Sequence, residues 1–152
     1  MPDRVTVQRL IPAPAKAIFD LLADPSRHPE IDGSGTVQAP RSSRARRLGL
    51  GDSFGMDMHW GVPYATRNVV VEFEEDRVIA WQTLADKPLV WFLTGRIWRY
   101  ELEPAEGGTI VRETWDIAKE ALPAKFVVRR MADLTRRNME ATLERIEQVL
   151  AA

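Results

Sequence analysis

Residues 109–150 read TIVRETWDIAKEALPAKFVVRRMADLTRRNMEATLERIEQVL, and the spacing of their apolar residues changes once, near Pro123. Before Pro123, apolar and polar residues alternate, which predicts a β-strand from Thr109 to Ala118. After Pro123, apolar residues recur every three or four positions, which predicts one long helix to the end of the chain. A helix of about 27 residues would be about 40 Å long, a length that suits a helix lying across a sheet. Its apolar residues are Phe126, Val127, Met131, Leu134, Met139, Leu143, Ile146 and Leu150.

Upstream of residue 109 the sequence consists mostly of short alternating segments separated by turn residues, a pattern typical of an antiparallel meander. Strands are predicted near Val5–Leu10, Thr36–Pro40, Ser53–Trp60, Thr66–Glu74, Val78–Thr83 and Trp91–Glu103. Two short helices are predicted after the first strand, within Ala15–Ala23 and over Ser26–Ile31. The fold class is therefore predicted to be α+β, with a seven-stranded antiparallel sheet curved around a long C-terminal helix. Such a shape encloses a cavity.

Length and composition restrict the function classes. The 152 residues contain no linker-like stretch, which predicts a single domain over residues 1–152. A formal net charge of -1 makes nucleic acid an unfavourable partner. Without cysteine the chain has no disulfide, no thiolate nucleophile and no cysteine zinc site, and this composition fits the cytoplasm. Neither a signal peptide nor an apolar run of about 18 to 20 residues is visible, so we expect no integral membrane association.

The alternation within each strand predicts which side chains face the C-terminal helix. The predicted inward residues are Phe54, Met56, Met58 and Trp60; Arg67, Val69, Val71 and Phe73; Ile79 and Trp81; Trp98, Tyr100 and Leu102; and Val111, Glu113, Trp115 and Ile117. All five tryptophans fall in strands and four of them face inward. These rings either fill a solid core or line a pocket for a small molecule, and the sequence leaves both interpretations open.

Two charged residues, Arg67 and Glu113, fall on the predicted inward face among apolar neighbours. Burying either charge alone would be costly, so we expect them to pair with each other, with Tyr100 or with a ligand. A structural ion pair and a role in ligand orientation or acid-base chemistry both remain open. A slip in register is the third alternative, because one bulge, for example at Gly95, would reverse the two faces of its strand.

Several segments together resemble a known superfamily. They are IPAPAKAIFD at 11–20, DPSRHPE at 24–30, VIAW at 78–81, and WRYELEP at 98–104 with GGT at 107–109. The chain resembles the START-like, birch-pollen-allergen-like helix-grip superfamily, in its bacterial polyketide cyclase/dehydrase and lipid-transport branch. The resemblance implies a helix-grip fold whose cavity is closed by the two short helices, with an entrance near Arg27–Ile31. It transfers no named catalytic role to any residue of this chain.

The histidines give little support for a metal site. His28 lies near Glu30 and Asp32 on one short proline-broken turn, which lacks the ligand spacing of known sites, so a role lining the mouth or capping is favoured. His59 has the outward parity of its strand and is expected at the surface. We predict neither a metal nor a cofactor.

The sequence favours a cytoplasmic binding module, monomeric or homodimeric, that takes up a hydrophobic or aromatic small molecule such as a lipid or polyketide. An alternative is a polyketide cyclase or dehydrase in which Glu113 is the acid or base and Arg67 or Tyr100 steadies an enolate. A protein-interaction module without a small ligand is the third possibility. The candidate ligand-binding residues are Met56, Met58, Trp60, Arg67, Trp81, Trp98, Tyr100, Glu113, Trp115 and Met131, and the candidate catalytic residue is Glu113.

Overall fold

The computed structural model describes residues 3–35, 37–40, 47–60, 62–85, 95–120 and 124–151. The strands are β1 Arg4–Ile11, β2 Val37–Pro40, β3 Ser53–Trp60, β4 Val62–Glu74, β5 Val78–Ala85, β6 Ile97–Ala105 and β7 Gly108–Asp116. The helices are α1 Ala15–Leu22, α2 His28–Ile31, α3 Ala124–Arg129 and α4 Ala132–Ala151, with a 3-10 turn at Pro25–Arg27 before α2.

The strands form one seven-stranded sheet in the order β1-β7-β6-β5-β4-β3-β2. Every neighbouring pair is antiparallel, so β2 to β7 form a meander and β1 adds to its β7 edge. Helix α4 lies against β1, β7 and α2. The α+β helix-grip prediction is confirmed.

Strand β6 begins at Ile97 rather than near Trp91, and residues 86–94 lie outside the described residues. Strand β4 begins at Val62, four residues before the predicted start. These residues include Pro63, which pairs with His59 close to the hairpin end, where a strand tolerates a residue without an N–H group.

The predicted C-terminal helix is divided in two. The backbone N–H of Arg130 donates to the Val127 carbonyl at 3.1 Å, and that of Met131 donates to Val128 at 2.9 Å. These bonds span three residues, the tighter 3-10 pattern, and they separate α3 from α4. The buried residues of α4 are Ala132, Thr135, Met139, Thr142, Leu143 and Ile146.

The inward and outward faces agree with the alternation in most of the sheet but not in β4. Arg67 and Val71, predicted to face inward, are exposed, whereas Asn68 and Val70 are buried. The pairing of β4 with β5 shifts between Val70 and Glu72. This bulge inserts one residue and exchanges the two faces of the strand, so that Phe73 again packs against the core. The predicted inward position of Arg67 is therefore wrong.

Candidate functional site

A cavity of about 290 Å³ is lined by residues of α2, of strands β2 to β7 and of the first half of α4. Its volume lies close to the lower limit of small-molecule sites, which is about 300 Å³. The lining residues are His28, Ile31, Asp32, Ser34, Val37, Phe54, Met56, Met58, Thr66, Asn68, Trp81, Thr83, Arg96, Trp98, Tyr100, Glu113, Trp115, Met131, Leu134, Thr135, Asn138, Met139 and Thr142.

The structure brings eight of the predicted ligand-binding residues together around this cavity. They are Met56, Met58, Trp81, Trp98, Tyr100, Glu113, Trp115 and Met131. Arg67 is not among the lining residues, because its side chain points to the opposite side of β4. The side chain of Trp60 and the whole of Trp91 lie outside the described part of the chain. That the eight residues bind a ligand remains a prediction.

Trp81 is at the centre of an aromatic wall. Its ring stacks on His28 at 5.0 Å between centroids, meets Phe54 edge-on at 5.6 Å and lies 5.5 Å from Tyr100. On β6, Trp98 is opposite Trp81 on one side and Trp115 on the other, so three indole-bearing residues form one row across the sheet. Such a wall offers flat apolar contact area to a ring system.

Glu113 carries the candidate acid-base group. It lies in the middle of β7, opposite Tyr100, and is only 2% exposed. Burial raises the pKa of this carboxyl from 4.5 to about 8, the Tyr100 hydroxyl opposes the rise by hydrogen bonding to it, and the charge of Asp32 adds to the rise. Burial, followed by the proximity of Glu113, also raises the pKa of Tyr100. At neutral pH the Glu113 carboxyl is therefore mostly protonated.

Two buried polar atoms at this end of the cavity have no hydrogen-bond partner among the described residues. They are Oε1 of Glu113 and Nε1 of Trp115. Both residues line the cavity and belong to the same face of β7, with Cα atoms about 7 Å apart along the strand. A buried polar group without a partner costs about 1–3 kcal/mol. A ligand oxygen would remove that cost by bonding to either atom.

Sequence reasoning missed a second polar group in the lining, Arg96. Its Nε donates to Oε1 of Glu120 at 2.9 Å, and the two side chains are 14% and 0% exposed. Burial raises the pKa of Glu120, although the neighbouring Arg96 charge opposes the rise. Arg96 has the parity of Trp98 and Tyr100, so extending the alternation back by two residues would have placed it inside.

A polar ladder on β4 and β5 was also missed, because the bulge reversed the predicted faces of β4. The Thr83 hydroxyl donates to Oδ1 of Asn68 at 2.7 Å, and Nδ2 of Asn68 lies 3.5 Å from the Thr66 hydroxyl. All three side chains are buried and line the cavity. Their hydrogen bonds to one another reduce the cost of placing polar groups in the wall.

His28 is buried and lines the cavity. Its Nε2 lies 2.9 Å from the Leu22 carbonyl oxygen and must therefore donate, which leaves Nδ1 without a proton in the neutral ring. Burial lowers the pKa of His28, so this neutral form is favoured. Glu30 instead forms an ion pair with Arg27 at 2.7 Å.

The described residues contain no group of three or more histidine, aspartate or glutamate side chains that could hold a metal ion. His59 is exposed, as predicted. Among the helices that the structure describes, none has the length and apolar character needed to cross a membrane.

Comparisons with known proteins identify sequence relatives of this chain. A Mycobacterium tuberculosis (strain H37Rv) protein, named "Uncharacterized protein Rv0088", is 35% identical over 117 residues, which are 76% of this chain and 48% of that protein. The chain thus spans about half the length of the curated relatives it matches.

Solved structures that share the fold include protein MLL2253 and DynU16. Protein MLL2253 from Mesorhizobium loti has a TM-score of 0.72 at 18% identity, covering 97% of this chain and 96% of that one. DynU16, a protein in the dynemicin biosynthetic locus, has a TM-score of 0.69 at 12% identity, covering 100% of this chain and 48% of that one. The family described as "Polyketide cyclase / dehydrase and lipid transport" matches residues 2–151. The chain therefore belongs to the polyketide cyclase / dehydrase and lipid transport family.

Proposed function

We propose that the cavity binds a hydrophobic or aromatic small molecule that carries at least one hydrogen-bonding oxygen. The observation that carries this proposal is the pair of buried atoms without partners, Glu113 Oε1 and Trp115 Nε1, beside a wall of aromatic rings. A purely apolar ligand would leave both atoms unpaired. A hydroxyl or carbonyl group would pair with them while the rings cover its apolar body.

The volume and the aromatic lining favour a compact ring system over a long acyl chain. The cavity holds about 290 Å³, and Trp81, Trp98 and Trp115 are among the residues that line it. Membership of the family supports a polyketide-like or lipid-like molecule in general terms. Because the match covers only 48% of the length of the curated relative, any ligand or activity of that longer protein reaches this chain only as part of the proposal.

Denaturing mass spectrometry of the purified protein tests the proposal by identifying any small molecule that copurifies. The variant Thr135→Phe places a ring in the cavity from α4, and Thr6→Phe places the same ring on the exposed face of β1. We expect the molecule in the wild type and in Thr6→Phe but not in Thr135→Phe. Equal amounts in both variants would show that the ligand does not occupy this cavity.

A second candidate function, catalysis of cyclisation or dehydration, is favoured by the pKa of about 8 at Glu113. A protonated carboxyl at neutral pH can donate its proton to a carbonyl oxygen of the substrate as an enol carbon of the same molecule attacks that carbonyl carbon. The enol hydroxyl becomes a carbonyl and returns its proton to Glu113, while Tyr100 hydrogen-bonds to the transient carboxylate. Glu113→Gln would then abolish turnover of a polyketide substrate and leave binding intact. The rate should also fall as the pH rises through about 8. An active Glu113→Gln variant would exclude this chemistry.

A further inference from the structure

We propose that Arg96, positioned by Glu120, binds a carboxylate group at one end of the ligand. This inference deepens the proposed function and rests on it. It makes the ligand a carboxylic acid whose opposite end carries the oxygen that pairs with Glu113 and Trp115. Arg96 lines the same cavity as those two residues.

Backbone contacts hold Arg96 and Glu120 in place. The carbonyl of Arg96 accepts a hydrogen bond from the Thr83 N–H at 2.9 Å, which fixes the start of β6 against β5. The N–H of Glu120 donates to the Ile117 carbonyl at 3.0 Å in the turn after β7. Gly95 has a φ of +108°, and an added Cβ would collide with the Lys119 carbonyl, so the two segments approach closely only with glycine here.

Arg96 and Glu120 are joined by one hydrogen bond, although a guanidinium and a carboxylate can form two. Only Nε of the guanidinium reaches Glu120, while Nη2 of Arg96 and Oε2 of Glu120 are both buried and have no partner among the described residues. A guanidinium and a carboxylate match best when two N–H groups bond to two oxygens. Glu120 thus leaves Nη2 of Arg96 as a desolvated donor that a second carboxylate, from the ligand, would satisfy.

The ionisable carboxyl groups in the described lining, Asp32 and Glu113, cannot attract a ligand carboxylate. Asp32 accepts hydrogen bonds from the N–H and hydroxyl of Ser34, at 3.1 and 2.7 Å, and from the Val37 N–H at 3.1 Å, so its charge is already compensated. Glu113 is mostly neutral at pH 7 because its pKa is about 8. Arg96 is the cationic side chain that the described lining contains.

The strand spacing sets the scale of the ligand. Arg96, Trp98 and Tyr100 follow one another on the inner face of the β6 segment, with Arg96 and Tyr100 about 13 Å apart at their Cα atoms. Tyr100 is opposite Glu113, and the row of indoles lies between the two polar ends. The geometry fits a flat aromatic body with a carboxylate at one end and a hydroxyl or carbonyl at the other.

Isothermal titration calorimetry at pH 7 with 4′-hydroxybiphenyl-4-carboxylic acid and its methyl ester tests this subsite. The two probes share the ring system and the hydroxyl, and the ester replaces the negative charge with a neutral group that is larger by one methyl. Arg96→Met separates the two effects, because it removes the contribution of the charge and leaves that of the methyl group. We expect the wild type to bind the acid about 10- to 100-fold more tightly than the ester, as a charge-assisted hydrogen bond would give. Arg96→Met should reduce that ratio to about one, and Arg96→Lys should retain part of it.

Arg99→Met is the matched control, because Arg99 lies on the outer face of β6 and pairs with Glu72 and Glu101. It should leave the acid-to-ester ratio unchanged. Glu120→Gln keeps an oxygen that accepts from Arg96 Nε and so preserves its position, but removes the competing negative charge; it should tighten binding of the acid several-fold without changing the ester. Each ratio compares two ligands on one folded variant, so a loss of stability does not alter it.

Three results would overturn the proposal. Equal affinity for acid and ester in the wild type would refute the subsite and leave small-molecule binding intact. A preference for the acid that persists in Arg96→Met would place the carboxylate elsewhere. If neither probe binds, the proposed function fails for aromatic ligands of this size, and the carboxylate subsite fails with it.

Discussion

Replacement of Glu113 by glutamine tests the electrostatics of the site through the stability of the protein. The carboxyl has a pKa of about 8 in the folded protein against an ordinary value of 4.5, and burial is the main cause. The folded state therefore holds a proton that the unfolded chain releases above pH 4.5. The resulting stabilisation is fully present below pH 4.5 and is lost as the pH rises to about 8.

The size of this effect follows from linkage. Each pH unit between 4.5 and about 8 lowers the free energy of unfolding by about 1.4 kcal/mol, so the full interval amounts to about 5 kcal/mol. This is a large share of a typical stability of about 5–15 kcal/mol. Glutamine has the shape of the protonated acid and no charge to lose, so the variant lacks this dependence. Above pH 8 the variant should be the more stable of the two proteins.

Urea denaturation at several pH values from 5 to 9 measures the difference between wild type and Glu113→Gln. Glu101→Gln is the control, because the hydrogen bond from Arg99 lowers the pKa of Glu101. That carboxyl is ionised in both the folded and the unfolded state above pH 6, so its difference curve should be flat there. A flat curve for Glu113→Gln between pH 5 and 8 would refute the reasoning, since the folded protein would then hold no extra proton at this site.

Three further predictions follow from particular contacts. Gly33→Ala should lower the free energy of unfolding, measured by urea denaturation, by about 1–3 kcal/mol. A Cβ at this position would lie 2.5 Å from both the Asn138 carbonyl oxygen and the Thr142 nitrogen, so unchanged stability would contradict this packing. Trp115→Phe removes the unpartnered indole N–H and should weaken binding of the hydroxybiphenyl acid, measured by calorimetry, about three- to tenfold. Full affinity would show that the indole does not bond to the ligand. Arg67→Ala should change the free energy of unfolding by less than about 0.5 kcal/mol and leave binding unaltered, as expected for an exposed side chain; a large loss of binding would contradict its outward position.

Periodic patterns in the sequence predicted the class of fold and the aromatic and methionine side chains that the strands place around the cavity. The alternation of Phe54, Met56 and Met58 placed one face of β3 correctly, and that of Glu113 and Trp115 did the same for β7. Such patterns are readable because side-chain direction repeats within each strand, whatever its neighbours are. The helical period after Pro123 predicted the C-terminal helix for the same local reason.

Contacts between distant segments could not be read in this way. The bulge after Val70 is a property of the pairing of β4 with β5, and by exchanging the faces of β4 it moved Arg67 outside and Asn68 inside. The partnership of Arg96 with Glu120 joins the start of β6 to the turn after β7, across 24 positions of the chain. Register and ion pairing depend on which segments meet in space, and a one-dimensional period does not encode that choice. The aromatic wall was therefore readable from the amino-acid order, while the pairing of Arg96 with Glu120 became visible only when the strands were assembled.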